Sequence, residues 1–187
     1  MIPAPTPANE LQRLAALLRL KLLDSTPEAS FDALTRCLAR GLSAPVALIS
    51  LVDEKRQWFM CRVGLEARET PRDVSFCGHA ICGTEPLVVP DALSDPRFFD
   101  NPLVVGPSNV RAYLGAPLIT REGLVLGTLC AIDTKPHAWT PEDIAFARDL
   151  AIAAACLVDA RAFKSELGES FEAMASLCRP RGVSLAA

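Results

Sequence analysis

The chain is short of the residues that most directly announce a chemistry. It has two histidines, one tyrosine and only 6% aromatic residues. Lys and Arg number 19 against 22 Asp and Glu, for a net charge of -3, and no basic cluster stands out. A surface that tracks nucleic-acid phosphates is therefore not expected. No apolar run reaches the length needed to cross a bilayer, so no membrane partner is expected. Met1-Ile2-Pro3-Ala4-Pro5-Thr6-Pro7 has no basic n-region and no apolar h-region. No secretory signal is visible, and a cytoplasmic location is the expectation. There is no G-x-x-x-x-G-K-[ST] loop, which removes P-loop nucleotide hydrolysis. H-E-x-x-H and G-x-S-x-G are missing too, and no histidine lies on a long helical pattern where a phosphoacceptor would sit.

What is present is a full set of core residues. Half of the 187 residues are hydrophobic and mean hydropathy is +0.25, enough for one domain with terminal helices. Seven cysteines is an odd count. Cys37, Cys130 and Cys156 lie in apolar runs and read as small hydrophobes. The chain length and odd count disfavour a disulfide framework.

Residues 1–8 are proline-rich and expected to be disordered. Leu11, Leu14, Leu18 and Leu22 predict an amphipathic helix over 9–23. Thr26-Pro27-Glu28 predicts a second helix start, with Thr26 as N-cap, followed by a face of Phe31, Leu34, Cys37 and Leu38. Val46 to Val52 is nearly all apolar and rich in β-branched residues, as in a strand buried on both faces. With Gln57 to Val63 it predicts a hairpin. Pro86 to Pro90 is a third short strand, and Ala112–Ile119 with Leu124–Ile132 a second hairpin. Thr140-Pro141-Glu142-Asp143 starts a last helix, with Ile144, Ala147, Ala151, Ala154 and Val158 as its stripe and a pattern running towards Leu177. Hairpins dominate. The predicted fold is α+β: a central antiparallel sheet, N- and C-terminal helices on one face, and a loop-lidded pocket on the other. One domain spans 9–165, with 166–187 as helix extension and tail.

Charge, a thiol and an imidazole concentrate in Glu69 to Ile81, between two apolar strands. Such a loop above a hydrophobic scaffold predicts a small-molecule site, a closed cavity between sheet and lid. Cys77, His79 and Cys82 have ligand chemistry suited to zinc or iron, but C-x-H-x-x-C without a second pair is a sparse set, so no metal is assigned. Cys77 at a helix start has the features of a redox thiol or nucleophile. Arg97 and Arg111 either grip an anionic ligand group or pair with Asp91 and Asp95 to shape the lid. Arg72 is expected to pair with Glu69, and His137 to be a solvated turn residue. The candidate ligand-binding set is Phe76, Cys77, His79, Asp91, Arg97, Phe98, Arg111 and Tyr113, with no catalytic residue assigned.

These features come in a recognisable order. Leu22 to Glu28, Val52-Asp53 with Arg56-Gln57-Trp58-Phe59, Gly64-Leu65, Glu69-Thr70-Pro71-Arg72 and Ser75-Phe76-Cys77 with His79-Ala80-Ile81 come first. Val89-Pro90-Asp91-Ala92, Asp95-Pro96-Arg97-Phe98, Asn101-Pro102, Gly115-Ala116-Pro117-Leu118 and Gly127 to Asp133 follow. Together they resemble a GAF domain of a bacterial subclass, over residues 20 to 160. The resemblance implies a GAF/PAS-like fold and a sensory, ligand-binding module. It implies homodimerisation through terminal helices 9–23 and 141–177, and often a diguanylate cyclase or histidine kinase output domain. It names no ligand or cofactor. Where such domains have Phe before the Tyr, this chain has Ala112. With no Gly-Gly pair for a cyclase signature, a signal would pass to another chain or another part of the protein. Phe76-Cys77-Gly78 also resembles the cysteine loop of free methionine-R-sulfoxide reductases, GAF-fold thiol enzymes. Their resolving cysteine lies on the lid, and the lid here, Ala92 to Asn109, contains none. A haem or bilin sensor is a further alternative, with 6% aromatics low for gripping a large chromophore.

Overall fold

A computed structural model describes residues 1–177. Its architecture follows from strands that are apolar on both faces. β1 (Val46–Val52) is buried almost throughout, as its unbroken apolar run predicts. It directs Ala47, Ile49 and Leu51 to one core and Leu48 and Val52 to another. The partners alternate in the same way. β5 (Ala112–Ile119) sends Ala112, Leu114, Ala116 and Leu118 to the first core and Tyr113 to the second. β6 (Val125–Asp133) splits Leu129 and Ala131 from Cys130. A side-chain period of two places neighbouring residues on opposite faces, so both faces must be covered.

With β2 (Arg56–Val63), β3 (Glu69–Pro71) and β4 (Leu87–Val89) the sheet has six strands in the order β3-β2-β1-β6-β5-β4, every pairing antiparallel. β2 pairs with β1 through a bulge: Ile49 faces Cys61 and Ser50 faces Phe59, leaving Met60 unopposed. β4 is the short edge strand expected from its bounding prolines. β3 at the other edge was not expected. Three residues ending in proline carry no periodicity, and only pairing with Arg56, Gln57 and Trp58 makes them a strand.

Helices α1 (Glu10–Arg19), α2 (Ala29–Gly41) and α5 (Pro141–Leu177) cover the first core. α5 begins on a reciprocal cap, Thr140 Oγ1 accepting from Asp143 N at 3.1 Å and Asp143 Oδ2 from Thr140 N at 2.9 Å. It reaches Leu177, as the periodicity predicts; residues 178–187 of the expected tail lie outside the described residues. α2 starts three residues after the expected cap, because Glu28 is extended and pairs with Arg161 of α5 at 3.1 Å. Cys37 and Cys156 are exposed rather than buried. Each sits on the solvent side of a helix whose opposite face meets the sheet. The small-residue stripe of α5 (Ala147, Ala151, Ala154, Val158) packs into this same core. α3 (Phe76–Ala80), a 3-10 turn at Ala92–Ser94 and α4 (Pro102–Val105) cover the other face.

One buried ion cluster ties α1 to the sheet end. Arg13 is 0% exposed and donates to the Val52 carbonyl and to both Glu10 oxygens, at 2.9 and 2.8 Å. Arg72 joins the same carboxylate and also reaches the Asp53 carbonyl at 3.1 Å. The expected Arg72–Glu69 pair is therefore replaced. Glu69 instead meets Arg56, and Arg72 turns inward because Glu10 offers a less exposed carboxylate. Burial pushes the Glu10 carboxyl up, but Arg13 and Arg72 outweigh it and hold its pKa at about 2.

The sign of the pH effect follows. A depressed carboxyl pKa stabilises the fold above the unfolded value of 4.5, and this contribution is lost as pH falls from 4.5 through about 2. Its size is on the order of 2–3 kcal/mol. Glu10→Gln is expected to destabilise the domain by about that much at pH 7 and to flatten the acid limb in denaturant titrations at pH 7 and pH 3. An acid limb as steep as that of the unsubstituted protein would show that another carboxylate governs it.

Candidate functional site

Ser75 sets the entry to α3. Its Oγ accepts from Gly78 N at 2.9 Å and donates to Gln57 Oε1 at 2.6 Å. Ser50 of β1 donates to the same oxygen at 3.3 Å, and Gln57 Nε2 donates to Thr70 Oγ1 at 2.6 Å. These buried polar groups satisfy one another and fix α3 against the sheet. Phe76 and Cys77 then point inward.

The lid arrives over them. Phe98 stacks on Phe76 with centroids 4.0 Å apart and planes 17° off parallel. Tyr113 rises from β5 to within 5.2 Å of Phe76, and His79 meets the Phe98 edge at 4.8 Å. Phe76, Phe98, Tyr113, Cys77 and Cys130 are all buried and form one cluster with Val89, Val104 and Val110. The cavity expected between sheet and lid is thus occupied by side chains, because the lid carries its own aromatic residue into it. The open volumes described lie elsewhere, the most enclosed large one a groove of about 490 Å³ between α5 and β5 lined by Glu85, Pro117, Arg148 and Cys156.

Both lid arginines have carboxylate partners. Arg111 binds Asp91 through two contacts at 3.0 and 2.9 Å, and Arg97 binds Asp95 at 2.9 and 2.6 Å. Burial pushes Asp91 up, but the hydrogen bonds and charge of Arg111 together with its other donors hold it below the usual carboxylate range; Asp95 is lowered chiefly by Arg97. Arg97 also lies 5.0 Å from the Phe98 centroid. The guanidinium groups brace the lid. Burial lowers the His79 pKa, keeping the ring neutral at pH 7. Its Nε2–H donates to the Ile2 carbonyl at 3.2 Å.

Residues 1–8, expected to be disordered, lie across α3 as a strap. Ile2 N donates to the Arg97 carbonyl and Ala4 N to the Asp73 carbonyl, both at 3.3 Å. Cys82 is exposed and points to the Pro5 and Gly78 carbonyls, at 3.5 and 3.6 Å. Cys77, His79 and Cys82 therefore turn to three different neighbours. Among the described residues no three His, Cys, Asp or Glu side chains gather as a metal site requires. His137 is not a solvated turn residue. It stacks on Trp139 at 3.8 Å and lies 3.3 Å from the Asp133 carboxylate.

The structure supplies the partner for Cys77 that the lid lacks. Cys130 of β6 places its Sγ 3.9 Å from that of Cys77. Tyr113 donates its hydroxyl to Cys77 Sγ at 3.4 Å and lies 3.3 Å from Thr128 Oγ1. Burial pushes the Cys77 thiol up. Its hydrogen bonds, that with Cys130 first and then that from the Tyr113 hydroxyl, outweigh burial and hold it below the usual thiol value. Cys130 is pushed well above its usual value, first by its hydrogen bond to Cys77 and then by burial. The two thiols titrate together, and their first deprotonation belongs to the pair. Cys130, Thr128, Ser50 and Gln57 were not in the sequence-based set. The available signal was alternation, which puts Thr128 and Cys130 on one face of β6 as polar or thiol groups in an apolar strand.

The structure is thus an α+β domain with a six-stranded antiparallel sheet, terminal helices on one face and a braced lid on the other. A family profile for the GAF domain matches residues 26–158. The chain belongs to the GAF domain family. It is 44% identical over 137 residues to the cyclic di-GMP phosphodiesterase PA2567 of Pseudomonas aeruginosa, covering 73% of this chain and 23% of that protein. The chain thus spans about a quarter of this relative. Among solved structures, the blue-light absorbing form of the PixJ GAF domain of Thermosynechococcus elongatus superposes with a TM-score of 0.63 at 16% identity. It covers 90% of this chain and 98% of that one. The type II free methionine-R-sulfoxide reductase of Thermoplasma acidophilum superposes with a TM-score of 0.56 at 18% identity, covering 68% of this chain and 88% of its own. At these identities the likeness is one of fold.

Gly115 is the spacing element of the thiol cluster. A Cβ built there would lie 2.1 Å from the Tyr113 hydroxyl and 2.5 Å from Cζ of the same ring. Tyr113 is fully buried and cannot swing away freely. Gly115→Ala is expected to cost about 1–3 kcal/mol by overpacking. It should also raise the Cys77 pKa, because the Tyr113 donor is displaced. Denaturant titration and the pH dependence of Cys77 alkylation check both. Unchanged values for the two would remove Gly115 and Tyr113 from the cluster's design.

Proposed function

We propose that this chain is a non-catalytic sensory module of a signalling protein and works through a homodimer of its terminal helices. One observation carries the reading. Of the nine large apolar side chains exposed among the described residues, five lie on α1 and α5, and the other four (Ile2, Leu93, Phe99 and Val105) lie on the strap and lid. Leu11 is 82% exposed, Leu18 71%, Phe163 62%, Leu167 66% and Ile152 58%. On α5, Ile152, Phe163 and Leu167 recur at steps compatible with one helical face. Solvent exposure of such residues on two neighbouring elements fits a face that a second copy covers. The small-residue stripe of α5 packs on the sheet, so Ala154 lies in the domain core and not on this exposed face.

The lid is the sensing element in this reading. A small ligand, of a class the sequence leaves open, enters when Phe98 lifts from Phe76 and Tyr113. The candidate ligand-binding residues Phe76, Cys77, His79, Asp91, Arg97, Phe98, Arg111 and Tyr113 then line the opened volume or brace its rim. Tyr113 on β5 connects that volume through the strand to the neighbours of α5, and binding biases the helix pair between two arrangements. The output is a partner domain or protein. The phosphodiesterase named for its relative is one such activity, carried by the longer protein.

Phe163→Glu together with Ile152→Glu is expected to convert a dimer to a monomer in sedimentation velocity, with the fold retained by circular dichroism. Native mass spectrometry of freshly purified protein should show the dimer and any retained ligand together. A monomer before substitution, or a dimer unaffected by it, would overturn the interface.

A further inference from the structure

We propose that Cys77 and Cys130 are a redox-active dithiol, oxidised by small hydroperoxides to a disulfide that links α3 to β6. The inference does not rest on the ligand or dimer readings. Three observations carry it. The two sulfurs face each other at 3.9 Å, on elements distant in sequence. Both thiols are buried, so a reagent reaches them only when the strap side of the domain opens. They also share a polar cluster that an apolar core would otherwise not contain. Tyr113 donates to Cys77, and Thr128 stands beside the Tyr113 hydroxyl. Donors aimed at a buried sulfur stabilise the thiolate, the nucleophilic form.

The chemistry balances with two partners. The Cys77 thiolate attacks the distal oxygen of a hydroperoxide. An S–O bond forms, the O–O bond breaks, and two electrons pass to the leaving alkoxide or hydroxide, which is protonated to an alcohol or water. Cys77 is now a sulfenic acid. Cys130, deprotonating as it reacts, attacks that sulfur. The S–S bond forms, the S–O bond breaks, and the departing hydroxide takes the Cys130 proton as water. The sum is two thiols and one hydroperoxide giving a disulfide, an alcohol or water, and a second water. A protein dithiol of the thioredoxin class returns the pair to the reduced state by exchange.

Access is through the strap. Ala4 packs on Gly78, so closely that a Cβ at Gly78 would come within 2.6 Å of the Ala4 Cβ. The strap is held to α3 and the lid by hydrogen bonds of 3.2 to 3.3 Å involving Ile2, Ala4 and His79, by the Cys82 contact to the Pro5 carbonyl at 3.5 Å, and at its end by the ion pair of the Met1 ammonium with Asp100. Closure draws the sulfurs together by ~2 Å to the disulfide bond length. That movement removes the thiolate to which Tyr113 donates and shifts α3, which carries Phe76 of the lid stack. Oxidation therefore reaches the same stack that closes the lid.

The chain contains one tyrosine, Tyr113, which serves as an internal probe. The full chain, with Cys37, Cys82, Cys156 and Cys178 replaced by Ser and labelled with 3-fluorotyrosine, is treated with hydrogen peroxide, alkylated and mapped by mass spectrometry. Cys61 stays in place, since burial pushes its thiol up to about 12. The expected product is a Cys77–Cys130 linked peptide, released by dithiothreitol. The single fluorine resonance should shift on oxidation and return on reduction. In Cys130→Ala no link forms, and Cys77 proceeds to sulfenic and sulfinic acid. Should the substituted background fail to fold, the same mapping on the unsubstituted chain reads the linked peptide directly. Recovery of both cysteines as alkylated thiols from folded, peroxide-treated protein would overturn the proposal. So would an equal fluorine shift in Cys130→Ala or, in the unsubstituted chain, linkage of Cys77 to Cys82 in place of Cys130.

Discussion

The structure depends on a sheet whose central strands are apolar on both faces. β1 and β6 cannot leave either face to water, so the chain must supply two covers from its remaining residues. Three helices, the second and last of them long, supply one. The other is assembled from a five-residue helix, a four-residue helix, a 3-10 turn and the loops between them. Regular helices cover their face by periodicity. The irregular cover has no such periodicity and is held by individual interactions: the Ser75 cap, the Asp91–Arg111 and Asp95–Arg97 pairs, and the Phe76–Phe98 stack. A cover fixed by a few separate interactions opens locally at lower cost than one fixed by a continuous helix interface. The asymmetry between the two faces sets which of them opens more readily.

Polar atoms on the lid face are few and mutually satisfied. Ser50, Gln57 and Ser75 form one network, and Tyr113, Thr128 and the two thiols another. In a low-dielectric interior such groups specify one arrangement, since each would be costly alone. Their positions alternate with apolar residues that serve the helical face. The same strands therefore carry two functions at no cost in length. Tyr113 and Leu114 are adjacent on β5, one in each core. A displacement on the lid face has only one strand thickness to cross before it meets residues packed on α5.

The ion cluster at Glu10 plays a complementary part. Arg13 and Arg72 bring two guanidinium groups to one carboxylate near the end of β1. This anchors α1, which presents Leu11 and Leu18 outward. The helix face that remains uncovered is set by the charge that is buried, because Arg13 inward fixes the rotation of the helix about its axis.

The sequence alone determined five of the six strands, the two hairpins and the last helix, because unbroken apolar runs, two-residue alternation and the Thr140-Pro141 start are local signals. The order of motifs placed the chain in its family. Cys77, Phe76 and Phe98 were legible as inhabitants of the lid face from their loop positions. The short edge strand at Glu69–Pro71, the true partner of Arg72, the inward turn of Arg13 and the packing of the lid volume were decided only by tertiary structure. So was the meeting of Cys77 with Cys130, which stand fifty-three positions apart. Each depends on which distant residue fills the space opposite, and periodicity carries no information about that. Strand alternation states which face a side chain takes; only the packed sheet and its lid state what it meets there.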